Sequence, residues 1–171
     1  MKMIDSFESE QLYKLIQEMQ ITNMTVVPTM LKMMSMQENK RYNLSSLRII
    51  CVGGSSISMD LLDKVVDKFH LTKIIQTYGL TEASPRVTAH LEIDRKIKLS
   101  SVGKPIPGVQ LAIHDEKNRI LNHHEIGEIV VKSDGIMKGY YKKEQLTKEI
   151  IIDGWLHAGD LGYLDEDGYL F

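Results

Sequence analysis

Three short apolar runs, each rich in β-branched residues, constrain the first hundred positions more than any other feature of the chain. Met24-Thr25-Val26-Val27 stops at Pro28, and Met30, Leu31, Met33 and Met34 follow at helical density. Leu47-Arg48-Ile49-Ile50-Cys51-Val52 stops at Gly53-Gly54. Ser58 is then placed to cap a helix whose Leu61, Leu62, Val65, Val66 and Phe69 share one face. Lys73-Ile74-Ile75-Gln76-Thr77 is the third run, closed by Tyr78-Gly79. Ahead of them all, Leu12, Leu15, Ile16 and Met19 form the apolar stripe of an amphipathic helix from Glu8 to Met19. Strands joined through helices return in the same direction, so the pattern predicts an α/β fold with a parallel, helix-covered sheet.

Past about Leu99 the rhythm changes. Val109 to Ile113 and Ile126 to Val131 read as short strands, punctuated by Gly103, Pro105, Pro107, Gly108 and Gly127. That spacing predicts a small antiparallel, β-barrel-like subdomain over 99–171, after an α/β portion over 1–98. The 171 residues are 43% hydrophobic and 26% charged, which suits one sizeable core or two small ones. The methionines clustered between Met19 and Met36 read as core filler.

Charge and cysteine content narrow the function classes. With 21 Lys and Arg scattered among 23 Asp and Glu, the chain has no basic footprint for nucleic acid. Cys51 is the single cysteine, so neither a disulfide framework nor a Cys-rich metal site can be built, which fits a reducing cytoplasm. No run approaches the ~18 apolar residues of a membrane span, and a cytoplasmic location is the expectation.

Ligands of an open parallel sheet bind beyond the carboxyl ends of its strands, where helix N-termini offer unpaired N–H groups. Two segments fall there. Gly53-Gly54-Ser55-Ser56-Ile57-Ser58 leaves a strand for a helix; it serves either as an ordinary connection or as backbone that a flat or charged ligand approaches closely. Tyr78-Gly79-Leu80-Thr81-Glu82-Ala83-Ser84 puts a ring, a hydroxyl and a carboxylate into one loop, a mixture that suits a base, a phosphate and a hard cation, or a solvated helix cap.

A third segment, Gly154 to Tyr169, contains Asp160 between Gly159 and Leu161-Gly162, a carboxylate able to accept from ribose hydroxyls. Asp165 to Gly168 reads as a hairpin turn. The required ligand spacing of an EF-hand is absent there. His157 reads as structural, and His123 and His124 lack the partners of a zinc site.

Taken in order, six segments carry a family resemblance. They are Gly53-Gly54-Ser55, Tyr78-Gly79-Leu80-Thr81-Glu82, Ser101 to Gly108, Gly127-Glu128-Ile129, Gly139-Tyr140-Tyr141, and Gly154-Trp155 with Gly159-Asp160-Leu161-Gly162. Together they resemble the adenylate-forming (AMP-binding) superfamily of acyl- and aryl-CoA synthetases, peptide-synthetase adenylation domains and firefly luciferase. The resemblance implies that Tyr78 stacks on adenine, with Gly53, Gly54, Ser55 and Gly79 beside the base. It implies that Thr81 contacts phosphate, Glu82 serves Mg2+, and Asp160 holds the ribose 2′- and 3′-hydroxyls. Thr81 and Glu82 are the implied catalytic pair. The implied reaction joins a carboxylic acid to ATP as an acyl-adenylate with release of pyrophosphate, then passes the acyl group to the thiol of coenzyme A or of a carrier protein.

The resemblance also implies elements that do not occur here: a phosphate loop ending in Pro-Lys-Gly, a Gly-Arg hinge and a C-terminal domain with a catalytic lysine. The chain is therefore expected to be an internal portion of the large N-terminal domain and to be inactive alone. A fatty or other organic acid is the expected substrate, on the apolar character of Val27 to Leu31. Arg86 is either a surface charge or a substrate contact. Amino-acid activation for a carrier protein, and a non-catalytic binding module, are the competing expectations. An open sheet edge would further allow self-association.

Overall fold

The computed structural model describes residues 7–38, 41–54, 57–69, 72–90, 98 and 100–171. By packing the chain divides into two compact units, one running to Gln76 and the other beginning at Thr77.

In the first unit, α1 (Ser9–Met19) buries Ser9, Tyr13, Leu15 and Ile16. Its last turn ends at Gln20 in the left-handed region, φ 51°, and Met19 on the expected apolar stripe stays 54% exposed. Strand β1 (Asn23–Val26) feeds α2 (Pro28–Met36), which Pro28 opens at the position where a missing N–H costs nothing. Strands β2 (Ile49–Val52) and β3 (Lys73–Tyr78) enclose α3 (Met59–Lys68). The Ser58 hydroxyl caps α3 by accepting from the Leu61 amide.

The pairing is parallel, Asn23 opposite Ile49 and Ile49 opposite Lys73, as the strand–helix alternation predicts. Ile50, Val52 and Ile74 meet Tyr13, Ile16, Leu31, Met34, Leu62 and Val65 in one core. Each fully buried aliphatic side chain there contributes about 1.5–3 kcal/mol of burial. The Tyr13 hydroxyl is satisfied inside that core by donating to the Met34 carbonyl. Met33 and Met36 face outward, 49% and 77% exposed, so only some of the methionines fill the core.

The second unit is antiparallel. Strand β4 (Thr88–His90) pairs with β5 (Lys104–Pro105), and the remaining strands form a half-barrel sheet in the order β6-β7-β9-β8. These are β6 (Gln110–His114), β7 (Gly127–Lys132), β8 (Ile151–Ile152) and β9 (Trp155–Gly162). Ile113, Ile129, Val131 and Leu156 pack with Ala83, Val87 and Leu170 as its core. The helix α4 (Glu144–Ile150) has no buried residue. Its apolar residues are Leu146 and Ile150, the latter packed against the unit's core, too short a stripe to register as a helical period in the sequence.

Candidate active site

Tyr78 ends β3, and the loop behind it closes where the Val87 amide donates to the Tyr78 carbonyl at 2.8 Å. Within this loop Thr81–Ala83 form a single 3-10 turn that buries Ala83, leaves Thr81 exposed and holds Glu82 half-buried. Gly79 sits where the loop crosses itself: a Cβ there would lie 2.3 Å from the Pro85 carbonyl oxygen and 2.9 Å from the Arg86 amide. Both neighbours are backbone and cannot rotate away, so the position requires glycine. Arg86 is exposed.

The Tyr78 hydroxyl donates to Oδ2 of Asp160 at 2.8 Å. Burial first, then this hydrogen bond and the Asp160 charge, push the phenol above its ordinary value, so it remains a protonated donor. Glu82 has its own partner. Its Oε1 accepts from the Tyr140 hydroxyl at 2.7 Å, and its carbonyl accepts from the Met137 amide at 2.7 Å. The hydrogen bond to Glu82, with burial behind it, raises the Tyr140 phenol as well.

Glu82 and Tyr140 border a cavity of about 410 Å³ whose lining also includes Leu80, Glu128, His157 and Gly159. Glu128 and His157 form a pair across β7 and β9, with His157 Nδ1 2.7 Å from Glu128 Oε2. A carboxylate only accepts, so Nδ1 carries the proton. His157 thus has a structural partner, as its sequence context suggests, yet it also faces the cavity.

The structure brings Tyr78 to Asp160 within the second unit and gives Glu82 a fixed orientation. Gly53 and Gly54 belong to the first unit, where the Gly53 amide donates to the Val26 carbonyl at 3.3 Å. Ser55 lies outside the described residues. Sequence reading gave no site role to Tyr140 or Glu128 and took His157 as structural. The signal for Glu128 was present, as a half-buried carboxylate placed directly before the buried run Ile129-Val130-Val131.

No group of three or more His, Cys, Asp or Glu among the described residues is arranged to hold a metal. Mg2+ would not need such a group, because it keeps much of its water and takes only one or two carboxylates besides a substrate's phosphates. Glu82, exposed to the cavity and held from one side by Tyr140, is a fitting single donor. No helix among the described residues is long and apolar enough to cross a membrane.

A family model described as "AMP-binding enzyme" matches residues 1–141. The chain is 34% identical over 168 residues to a 2-succinylbenzoate–CoA ligase of Oceanobacillus iheyensis, covering 98% of this chain and 34% of that protein. It is also 34% identical over 175 residues to 4-coumarate–CoA ligase 1 of Glycine max, covering 99% of this chain and 60% of that one. Its fold matches that of the O-succinylbenzoate CoA synthetase MenE of Bacillus subtilis, solved in complex with ATP and magnesium ion. There the TM-score is 0.88 at 30% identity, over 96% of this chain and 34% of that one. The chain thus spans about a third of the length of two of these relatives.

Proposed function

Because the chain belongs to the AMP-binding enzyme family, we propose that it carries the adenosine-handling share of an ATP-dependent, AMP-forming acid–CoA ligase. The observation that carries the proposal is the Tyr78–Asp160 hydrogen bond, which sets an aromatic ring and an acceptor carboxylate side by side at the end of a strand. In this reading the Tyr78 ring stacks on adenine and Asp160 accepts from the ribose 2′- and 3′-hydroxyls. Thr81 donates to a phosphate oxygen. Glu82 holds Mg2+, which supplies charge neutralisation to the phosphates when bound.

The reaction of the whole protein is then acid plus ATP to acyl-adenylate and pyrophosphate, followed by transfer to the thiol of coenzyme A. What these residues contribute is position and preorganised charge: Asp160 and Tyr78 fix the nucleoside, so that the phosphates fall against Thr81 and Glu82. The acid is an organic carboxylic acid. The names of the relatives, 2-succinylbenzoate and 4-coumarate ligases, favour an aryl acid over a fatty one.

Calorimetric titration of the 171-residue chain with AMP, and with ATP plus Mg2+, tests the site. Saturable binding that falls on the order of tenfold or more in Asp160→Asn is expected, and no binding by the wild-type chain refutes the reading. Spanning a third of a relative's length, the chain alone is proposed to bind nucleotide without completing adenylation. Acid-dependent pyrophosphate release from ATP by the purified chain would overturn that part.

A further inference from the structure

The pairing of β7 with β9 is interrupted beside Asp160. Val131 lies opposite Leu156 and Val130 opposite His157, but Glu128 is opposite Leu161 and Gly127 opposite Gly162. From Val130 to Glu128 β7 advances two residues, while from His157 to Leu161 β9 advances four. Ala158, Gly159 and Asp160 therefore face Ile129 alone, in a bulge. A bulge loses regular ladder bonds and can re-aim a side chain.

Something other than the ladder must fix that backbone. The Glu128 carboxylate does so from the neighbouring strand: Oε1 accepts from the Gly159 amide at 3.1 Å, and Oε2 accepts from His157 Nδ1 at 2.7 Å. Both oxygens are thus spent on the residues just ahead of Asp160. Gly159 takes φ +73°, the left-handed region that favours glycine, with nothing within 4 Å of where a Cβ would sit. Backbone handedness, rather than crowding, fixes the residue type there. On the far side Asp160 is followed at once by Leu161, where the ladder resumes.

We propose that Glu128, together with His157, is a positioning residue that pins the bulge at Gly159 and so holds the Asp160 carboxylate where it meets the ribose hydroxyls. The proposal rests on the reading of Asp160 given above. The geometry explains a carboxylate beside the buried run Ile129-Val130-Val131: an aliphatic residue at position 128 could not receive the Gly159 amide. Displacing a positioning group by about 1 Å is enough to weaken the interactions it directs.

The test compares AMP with 2′,3′-dideoxy-AMP, which lacks both ribose hydroxyls, by titrating each into the wild-type chain and its variants. The preference for AMP over the dideoxy compound reports on Asp160. In Glu128→Ala that preference is expected to fall about tenfold, with dideoxy-AMP binding within about twofold of wild type. Glu128→Gln is expected to stay within about threefold on both ligands. Its amide oxygen still accepts from Gly159, and its NH2 can donate to the other tautomer of His157. Glu128→Asp, which withdraws the carboxylate by one methylene, should behave as Glu128→Ala and stands in for it if the alanine variant does not fold.

A merely structural staple would weaken both nucleotides together, and that result overturns the proposal. So does an unchanged preference in both Glu128→Ala and Glu128→Asp while Asp160→Asn abolishes it; the ribose role of Asp160 then survives. A wild-type chain that shows no preference, or an Asp160→Asn variant that keeps it, refutes the ribose reading and the positioning role with it.

Discussion

The hydroxyl of Tyr78 and the carboxylate of Asp160 are joined at 2.8 Å although 82 residues separate them in the chain. The link ties the end of β3 to β9 and fixes the separation of ring and carboxylate before any ligand arrives. It should be measurable as coupling. In urea denaturation, Tyr78→Phe and Asp160→Asn are each expected to lower the unfolding free energy by about 1 kcal/mol or less, because Asp160 is exposed to solvent. The double variant should lose about 0.5–1 kcal/mol less than the sum. Strict additivity would show that the hydrogen bond does not form in solution.

Gly79→Ala tests the loop crossing. A methyl group cannot fit 2.3 Å from the Pro85 carbonyl oxygen, so the loop must open, at a cost of roughly 1–3 kcal/mol. Thermal unfolding should show this loss, together with weaker AMP binding, since Thr81 and Glu82 follow immediately. An alanine variant as stable as wild type would mean that the crossing is looser than described.

How much of this was legible in the sequence depends on how local the cause is. Apolar period and punctuation set β1, β2 and β3 and their helices: Pro28 opens α2, Ser58 caps α3, and Asp165 to Gly168 form a turn closed by the Gly168 amide on the Asp165 carbonyl. The family motifs singled out Tyr78, Glu82 and Asp160 as candidates. They gave no indication that Tyr78 would hold Asp160 or Tyr140 hold Glu82, because such pairs depend on how distant strands lie side by side. The bulge in β9 was equally hidden. Gly159 signalled an unusual backbone, but only the register with β7 shows that three residues face one. α4 went unread for the opposite reason, being two turns long with only Leu146 and Ile150 on its apolar side and no side-chain cap.

Asp165 anchors the turn that follows the site. Its Oδ1 accepts from the Asp167 and Tyr169 amides at 3.0 and 2.9 Å, while Oδ2 lies 2.7 Å from Lys98 Nζ, and the side chain is 3% exposed. Asp165→Ala leaves two amides and an ammonium without this acceptor, and a loss of about 2–4 kcal/mol is expected in urea denaturation. Asp167 also pairs with Lys98, at 2.9 Å, but its side chain is 64% exposed. Asp167→Ala should barely move the midpoint. Equal losses from the two variants would show that the Lys98 pairing, not the turn, is what matters.

His114 predicts a pH dependence. It is 6% exposed, its ring centroid lies 5.7 Å from those of both Trp155 and His157, and neither of its nitrogens has a hydrogen-bond partner among the described residues. Burial foremost, then the charge of His157, hold its pKa below the usual histidine value of 6.5, against an opposing pull from Glu128 and Asp115. The unfolded chain therefore takes up this proton at a higher pH than the folded one. Stability should fall as pH drops through 6.5 toward the depressed native value, and rise as pH increases through the same window. Denaturation midpoints of wild type and His114→Phe between pH 5 and 8 check this, with a shallower slope expected for the variant. Parallel slopes would remove His114 as a cause.

The carboxylate that receives the Gly159 amide has a consequence for hydrogen exchange. Protons bonded strand to strand in β7 and β9 reach solvent only when the sheet opens. The Gly159 proton is held by a side chain, so a rotation of Glu128 about its own bonds releases it while the sheet stays closed. Deuterium should therefore reach Gly159 ahead of the ladder amides of β7 and β9 that flank the bulge, and a nucleotide that quiets the bulge should delay that proton more than those of the ladder.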